Sequence, residues 1–171
     1  LGALAAAAAL GRAGYPRLIV FGSLSKRSNA PGLRSGYVAG DAELVRAFLL
    51  YRTYHGSAMS GTVAAASIAA WNDEDHVRAN RVLYARKFSA LQPVLARALP
   101  CAMPEAAFYL WVRTPAAETD SESFAMRLLE RGIVTAPGSF FGPEGEGYIR
   151  MAMVPTLEDC EKAALILEDL L

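Results

Sequence analysis

Gly22-Ser23-Leu24-Ser25-Lys26-Arg27-Ser28-Asn29-Ala30-Pro31-Gly32-Leu33-Arg34-Ser35-Gly36 is the stretch around which the chain is organised. Arg17-Leu18-Ile19-Val20-Phe21 precedes it, a β-branched and aromatic run that reads as a buried strand over 17–21. Gly36-Tyr37-Val38-Ala39-Gly40 follows as a second short strand, and the Pro31-Gly32 pair supplies the turn between them. Lys26 thus lies in a loop of small residues, with two serines before it and an arginine eight positions on. Small residues let a ligand approach the backbone. Hydroxyls and a guanidinium suit a phosphate, and a lysine at a rigid strand end suits covalent carbonyl chemistry. No Gly-Lys-Ser/Thr ends the loop, so it is not a nucleotide-type phosphate loop.

Outward from this stretch the pattern alternates helix and strand. Residues 1–10 are nearly all Ala and Leu, a helix ended near Gly11. Asp41 caps a helix over 42–54, with Leu44, Val45, Phe48, Leu49 and the Arg52 stem facing inward. An alanine-rich helix over 60–71 packs through Val63, Ala66 and Ile68. Asp73, Glu74 and Asp75 then place acid where a helix start favours it. Val77, Tyr84, Phe88, Leu91 and Leu95 form the helical stripe that follows, with Arg78, Arg81, Arg86 and Lys87 on a solvated face. Pro93 kinks or restarts this helix and Pro100 ends it. Strands at 108–112, 133–135 and 147–154 alternate with two helices. One opens on a Thr119-Asp120-Ser121-Glu122 capping box and stops at Gly132. The other starts at Thr156, with Leu157, Cys160, Ala164, Leu167 and Leu171 on one face.

Composition narrows the function classes. The 171 residues are 53% hydrophobic and 20% charged, enough for a domain-sized core. Seventeen Lys+Arg balance seventeen Asp+Glu, which gives no support to a nucleic-acid partner. Cys101 and Cys160 are far apart and read as small buried residues of a reducing, cytoplasmic protein. His55 and His76 stand alone, without metal-ligand spacing. The N-terminal alanine run is too short to span a bilayer, so no membrane role is expected.

Ser-x-Ser-Lys followed by Pro-Gly-x-Arg-x-Gly resembles the lysine-attachment signature of the class I/II aminotransferases, which depend on pyridoxal phosphate. The resemblance implies that Lys26 carries the cofactor covalently, and that Ser23 and Arg34 hold its phosphate. Ser25 and Asn29 stay open between turn chemistry and contacts behind the cofactor. The family usually has an aliphatic residue where Ser35 stands. The wider wording, Ser35 included, resembles a narrower group, the bacterial succinyldiaminopimelate transaminases of lysine biosynthesis.

A second match lies in Pro137-Gly138-Ser139-Phe140-Phe141-Gly142 and Gly147-Tyr148-Ile149-Arg150-Met151-Ala152. By resemblance Arg150 takes the substrate's α-carboxylate, a task that suits a planar fork on a rigid strand. Phe108-Tyr109-Leu110-Trp111 resembles the family's small-domain strand and reads as core, with Tyr109 undecided.

The fold so implied is α/β, the C-terminal part of a fold-type-I pyridoxal phosphate transferase. Residues 1–75 would be a remnant of the large, mostly parallel-sheet domain. Residues 76–171 would be the linking helix and the small α/β domain. The chain begins with Leu and reads as a fragment, which on its own is expected to be a poor or inactive transaminase. Expected partners are small amino acids and oxo acids, glutamate/2-oxoglutarate and the succinylated heptanedioate pair for the narrower group, and a second copy in a homodimer. Two other classes share the lysine: another enzyme of the same fold, and a transcriptional regulator whose related domain senses the cofactor.

Overall fold

The alanine run folds as α1 (Ala3–Ala9), since alanine loses least on entering a helix. In the computed structural model residues 2–118 and 120–171 are described, and they form two compact units, Leu1–Arg78 and Ala79–Leu171. The start of the expected first helix at Leu1, and the capping role expected of Thr119, lie outside the described residues.

In the first unit β1 (Ile19–Ser23) leads into a single helical turn, α2 (Leu24–Arg27), and the chain returns as β2 (Gly36–Gly40). The strands pair antiparallel, from Ile19 opposite Gly40 to Ser23 opposite Gly36. A parallel partner would need a longer crossover than this loop provides. Every strand pair among the described residues is antiparallel, so the parallel part of the large-domain sheet that the resemblance implied is not among them. β1 starts two residues later than expected because Arg17 has φ +58°, outside the strand region, with its N–H bonded to the Asp41 carboxylate at 2.7 Å.

Asp41 caps α3 (Ala42–Tyr54) as expected, accepting from the N–H groups of Glu43 and Leu44. The expected inward face is only partly right. Val45 and Phe48 are half-buried, while Leu44 and Leu49 are exposed, as no described element packs over that flank. In α4 (Gly61–Asn72) the inward stripe runs through Val63, Ser67 and Trp71, which leaves Ala66 and Ile68 outside it. A helix turns about 100° per residue, so Ile68 is carried off the face that Ser67 holds.

α5 (Asp75–Ala98) starts in the first unit and continues into the second, unbroken through Pro93. Its stripe is as expected: Val77, Phe88, Leu91 and Leu95 are buried and Tyr84 half-buried. Arg78, Arg81 and Arg86 are exposed, but Lys87 is not. It is 4% exposed, with Nζ donating to the carbonyls of Met153 (3.2 Å) and Val154 (3.3 Å) above the Tyr84 ring. Position 87 adjoins Phe88 and Leu91 on the helix surface, so its stem is drawn into the core and its head must find acceptors there.

The second unit is a three-stranded sheet in the order β3 (Tyr109–Arg113), β5 (Tyr148–Ala152), β4 (Ala136–Pro137), with α6 (Ser121–Glu130) and α7 (Leu157–Leu170). Leu110, Val112, Ile149 and Met151 alternate into the core, where they meet Leu91, Leu95, Phe124, Leu128 and Leu167. Each such side chain contributes about 1.5–3 kcal/mol on burial. Asp120 caps α6 by accepting from Ser123 N–H at 2.7 Å. The strand expected at 133–135 is absent. Gly132 (φ +82°) and Ile133 instead return N–H groups to Leu129 and Leu128, a helix-ending motif that uses Ile133 as its apolar plug. On α7 Cys160, Ala164 and Leu167 are buried, while Leu171 caps the end and is exposed. Cys101 and Cys160 are free and buried, and burial pushes both thiols up. No helix of the described residues is long and apolar enough to cross a membrane.

Candidate functional site

Lys26 stands on the exposed side of a turn held from both ends. At its start the Ser23 hydroxyl accepts from Ser25 N–H at 3.1 Å and donates to Ser35 O at 3.3 Å. Leu24 is fully buried, and its N–H reaches the same Ser35 carbonyl. At its end Arg27 donates to Ala70 O at 2.7 Å, pairs with Glu74 and covers the Trp71 ring at 4.9 Å. The amine of Lys26 is therefore presented by a backbone that has little freedom to move. Eight residues on, Arg34 adopts a left-handed conformation (φ +50°) and bonds Pro31 O through Nη1 at 2.8 Å. The rest of its guanidinium has no partner among the described residues.

Ser35 explains its own departure from the aliphatic pattern. It is buried, and its hydroxyl lies 2.8 Å from that of buried Ser67 on α4, which satisfies both groups. The sequence offered no sign of this pair, since 32 residues separate its members.

An open concavity of about 710 Å³ lies against Arg34, with Tyr37, Phe48, Arg52 and Met59 in its walls. Neither Ser23 nor Lys26 lines it. A hydroxyl and a guanidinium suit a phosphate and a primary amine suits a carbonyl, so the residue types on the Lys26 loop fit pyridoxal phosphate. Ser23 would have to turn its proton from Ser35 O to reach a phosphate.

Arg150 belongs to the second unit, on β5 opposite Trp111 of β3 and Ala136 of β4. Its guanidinium carbon lies over two rings, 4.4 Å from the centroid of Tyr109 and 4.3 Å from that of Phe141. Among the described residues it has no carboxylate partner. Held against two aromatic rings, the guanidinium still has N–H donors to offer a planar anion. Of Phe108–Trp111, read as core with Tyr109 undecided, only Leu110 is buried. Tyr109 and Trp111 point to the Arg150 face, with Trp111 stacked on Tyr148.

The loop that delivers Phe141 is tied down by Glu146. Its carboxylate accepts from Ser121 N–H (2.6 Å) and Gly147 N–H (2.9 Å), and the Ser121 hydroxyl lies 3.2 Å away. The Gly147 and Ser121 N–H groups hold the Glu146 carboxyl below its ordinary value of 4.5. A depressed folded value means the stabilisation is complete above 4.5 and is lost as pH falls through the lower, folded value. Urea midpoints measured from neutral to acid pH should fall on the acid side, and Glu146→Gln should flatten that fall. Equal acid slopes in the two proteins would refute the latch.

His76 is not alone, contrary to the sequence reading. Its ring bridges the Asp73 carboxylate and the Ser28 hydroxyl. The aspartate three positions before it was a legible signal, whereas Ser28 was not.

A family model described as aminotransferase class I and II matches residues 1–167 of the chain. The chain belongs to that family. This aminotransferase chain is similar to a crystal structure of an aminotransferase from Neisseria meningitidis, with 51% identity and a TM-score of 0.89 over 99% of this chain and 44% of that one. It is also similar to a probable N-succinyldiaminopimelate aminotransferase from Thermus thermophilus, at 31% identity and a TM-score of 0.81, covering 93% of this chain and 43% of that one. A probable aminotransferase of Mycobacterium tuberculosis is 38% identical over 142 residues, 82% of this chain and 33% of that protein. The aminotransferase chain thus spans less than half the length of each of these relatives. Members of the family generally depend on pyridoxal phosphate.

Proposed function

We propose that the chain is part of a pyridoxal phosphate-dependent aminotransferase, with succinyldiaminopimelate as amino donor and 2-oxoglutarate as acceptor, or the reverse. The observation that carries the chemistry is the Lys26 turn, fixed at both ends, with Ser23 capping it and Arg34 partly unengaged nearby. The substrate rests on the wording around Lys26 and on the name of the Thermus thermophilus relative. When bound, the cofactor supplies an electron sink for the pair left when a substrate Cα loses its proton.

In this reading Ser23 and Arg34 bind the cofactor phosphate, and Lys26 attaches the cofactor. The free Lys26 amine would take the proton from the substrate Cα and give it back, as general base and then general acid. Arg150 orients the α-carboxylate in both half-reactions, and its two aromatic contacts limit the rotation that would misalign Cα. Residues 1–75 would belong to the large domain and 76–171 to the linking helix and small domain of a cytoplasmic homodimer.

The test uses the intact gene product that contains this chain. After loading with pyridoxal phosphate, borohydride reduction and digestion, the Lys26 peptide should carry a phosphopyridoxyl group. Turnover should require glutamate with the succinylated oxo acid, and should fall sharply with unsuccinylated acceptors. An unmodified Lys26 in folded, loaded protein would end the catalytic reading. A modified Lys26 without glutamate dependence would end the assignment of substrate.

A further inference from the structure

Asp73, His76 and Ser28 form a relay that ends two residues from Lys26. His76 Nδ1 lies 2.9 Å from the Asp73 carboxylate and Nε2 lies 2.9 Å from the Ser28 hydroxyl. Hydrogen bonding from His76, and then from Asp75 N–H, holds the Asp73 carboxyl below its usual range. A carboxylate only accepts, so Nδ1 carries the proton, and in the neutral ring Nε2 accepts from Ser28. Ser28 is the residue that closes α2, with its N–H bonded to Leu24 O at 3.0 Å.

A helical turn of four residues has no stability of its own. Its position must be imposed by what it touches. Before Lys26 the ties are the Ser23 cap and buried Leu24. After it, both Arg27 and Ser28 are tied to the corner between α4 and α5, Arg27 through Ala70, Asp73 and Glu74, and Ser28 through His76. The other Asp73 oxygen takes Asp75 N–H at 2.8 Å, so one carboxylate sets both the start of α5 and the plane of the imidazole. The relay therefore registers the Lys26 turn against a helix start.

We propose that His76, oriented by Asp73, is a positioning residue that holds Ser28 and thereby fixes the Lys26 turn for the proton transfers assigned to its amine. This rests on the reading of Lys26 above. His76 acts through Ser28, and a side chain with one donor and one acceptor at that position should replace it.

The experiment uses the intact gene product with His76→Ala, His76→Gln, Ser28→Ala and the double variant His76→Ala/Ser28→Ala. Two readouts are taken: kcat and KM for glutamate, and the visible band of the cofactor held on Lys26 with its pH midpoint. His76→Ala and Ser28→Ala should each lower kcat about 10- to 100-fold with KM within about twofold, and shift the midpoint. The double variant should be no worse than either single one, as for two parts of one device. His76→Gln, which keeps a donor and an acceptor, should recover most of the loss. The relay is overturned if His76→Ala keeps the wild-type kcat and midpoint whatever its thermal stability, if the two single losses multiply, or if glutamine fails to rescue. A wild-type protein with neither visible band nor borohydride adduct would instead bring down the Lys26 reading, and the relay with it. A normal wild-type band with unaffected variants would remove the relay alone.

Discussion

Replacing Lys26 with alanine in the intact protein should all but abolish transamination, by a factor of up to about 10⁴, while leaving the fold intact. The amine has no substitute nearby. Arg27 is a guanidinium engaged with Ala70 and Glu74, and Lys87 is buried against two carbonyls in the other unit. Lys26→Arg should fail equally, because a guanidinium neither attaches to an aldehyde nor gives up its proton near neutral pH. Stability should change by less than about 0.5 kcal/mol, since Lys26 is exposed and the turn is held by Leu24, Arg27 and Ser28. Steady-state rates beside urea unfolding check both halves. Substantial activity in Lys26→Ala would refute the assignment, and a collapse in stability would show that Lys26 is structural.

Gly138→Ala should cost about 1–3 kcal/mol, at the upper end of that range, and weaken substrate binding as well. A methyl group at Gly138 would lie 2.6 Å from Tyr148 O and closer still to Gly145 O. Both neighbours are backbone, so no rotamer change relieves the clash. Gly145 meets Gly138 in the same way from the other side. The crossing supports Phe141, which stacks on Arg150. Opening it should remove the Phe141 contact from the guanidinium and raise KM for the amino donor more than it lowers kcat. Gly61→Ala is the control: nothing lies within 4 Å of the added carbon, and alanine suits the helix better, so it should be neutral or slightly stabilising. A Gly138→Ala protein as stable as wild type, with an unchanged KM, would show that the loop yields and that Phe141 does not position Arg150.

The two cases differ in how far the sequence could foresee them. Lys26, Ser23 and Arg34 lie within twelve residues, and their spacing is itself the signal. The Gly138–Gly145 crossing is also local, but a row of glycines does not say which of them touch. The placing of Tyr109 and Trp111 beside Arg150 depends on strand pairing across roughly forty residues, and only the register shows that these aromatics share its face.

By itself the sequence determined what depends on short range. It specified the capped helix after Asp41, the apolar stripe of α5, the hairpin turn at Pro31-Gly32 and the lysine-bearing loop, because propensity, capping and periodicity act within a few residues. Tertiary structure decided the rest. It buried Lys87, since two carbonyls 66 and 67 residues away were there to receive its amine. It turned Ile133 from a strand residue into the plug of a helix end. It paired Ser35 with Ser67 and brought His76 to Ser28, across 32 and 48 residues. A polar side chain inside a protein takes whichever partner the packing leaves within reach, and that partner is set by the fold as a whole.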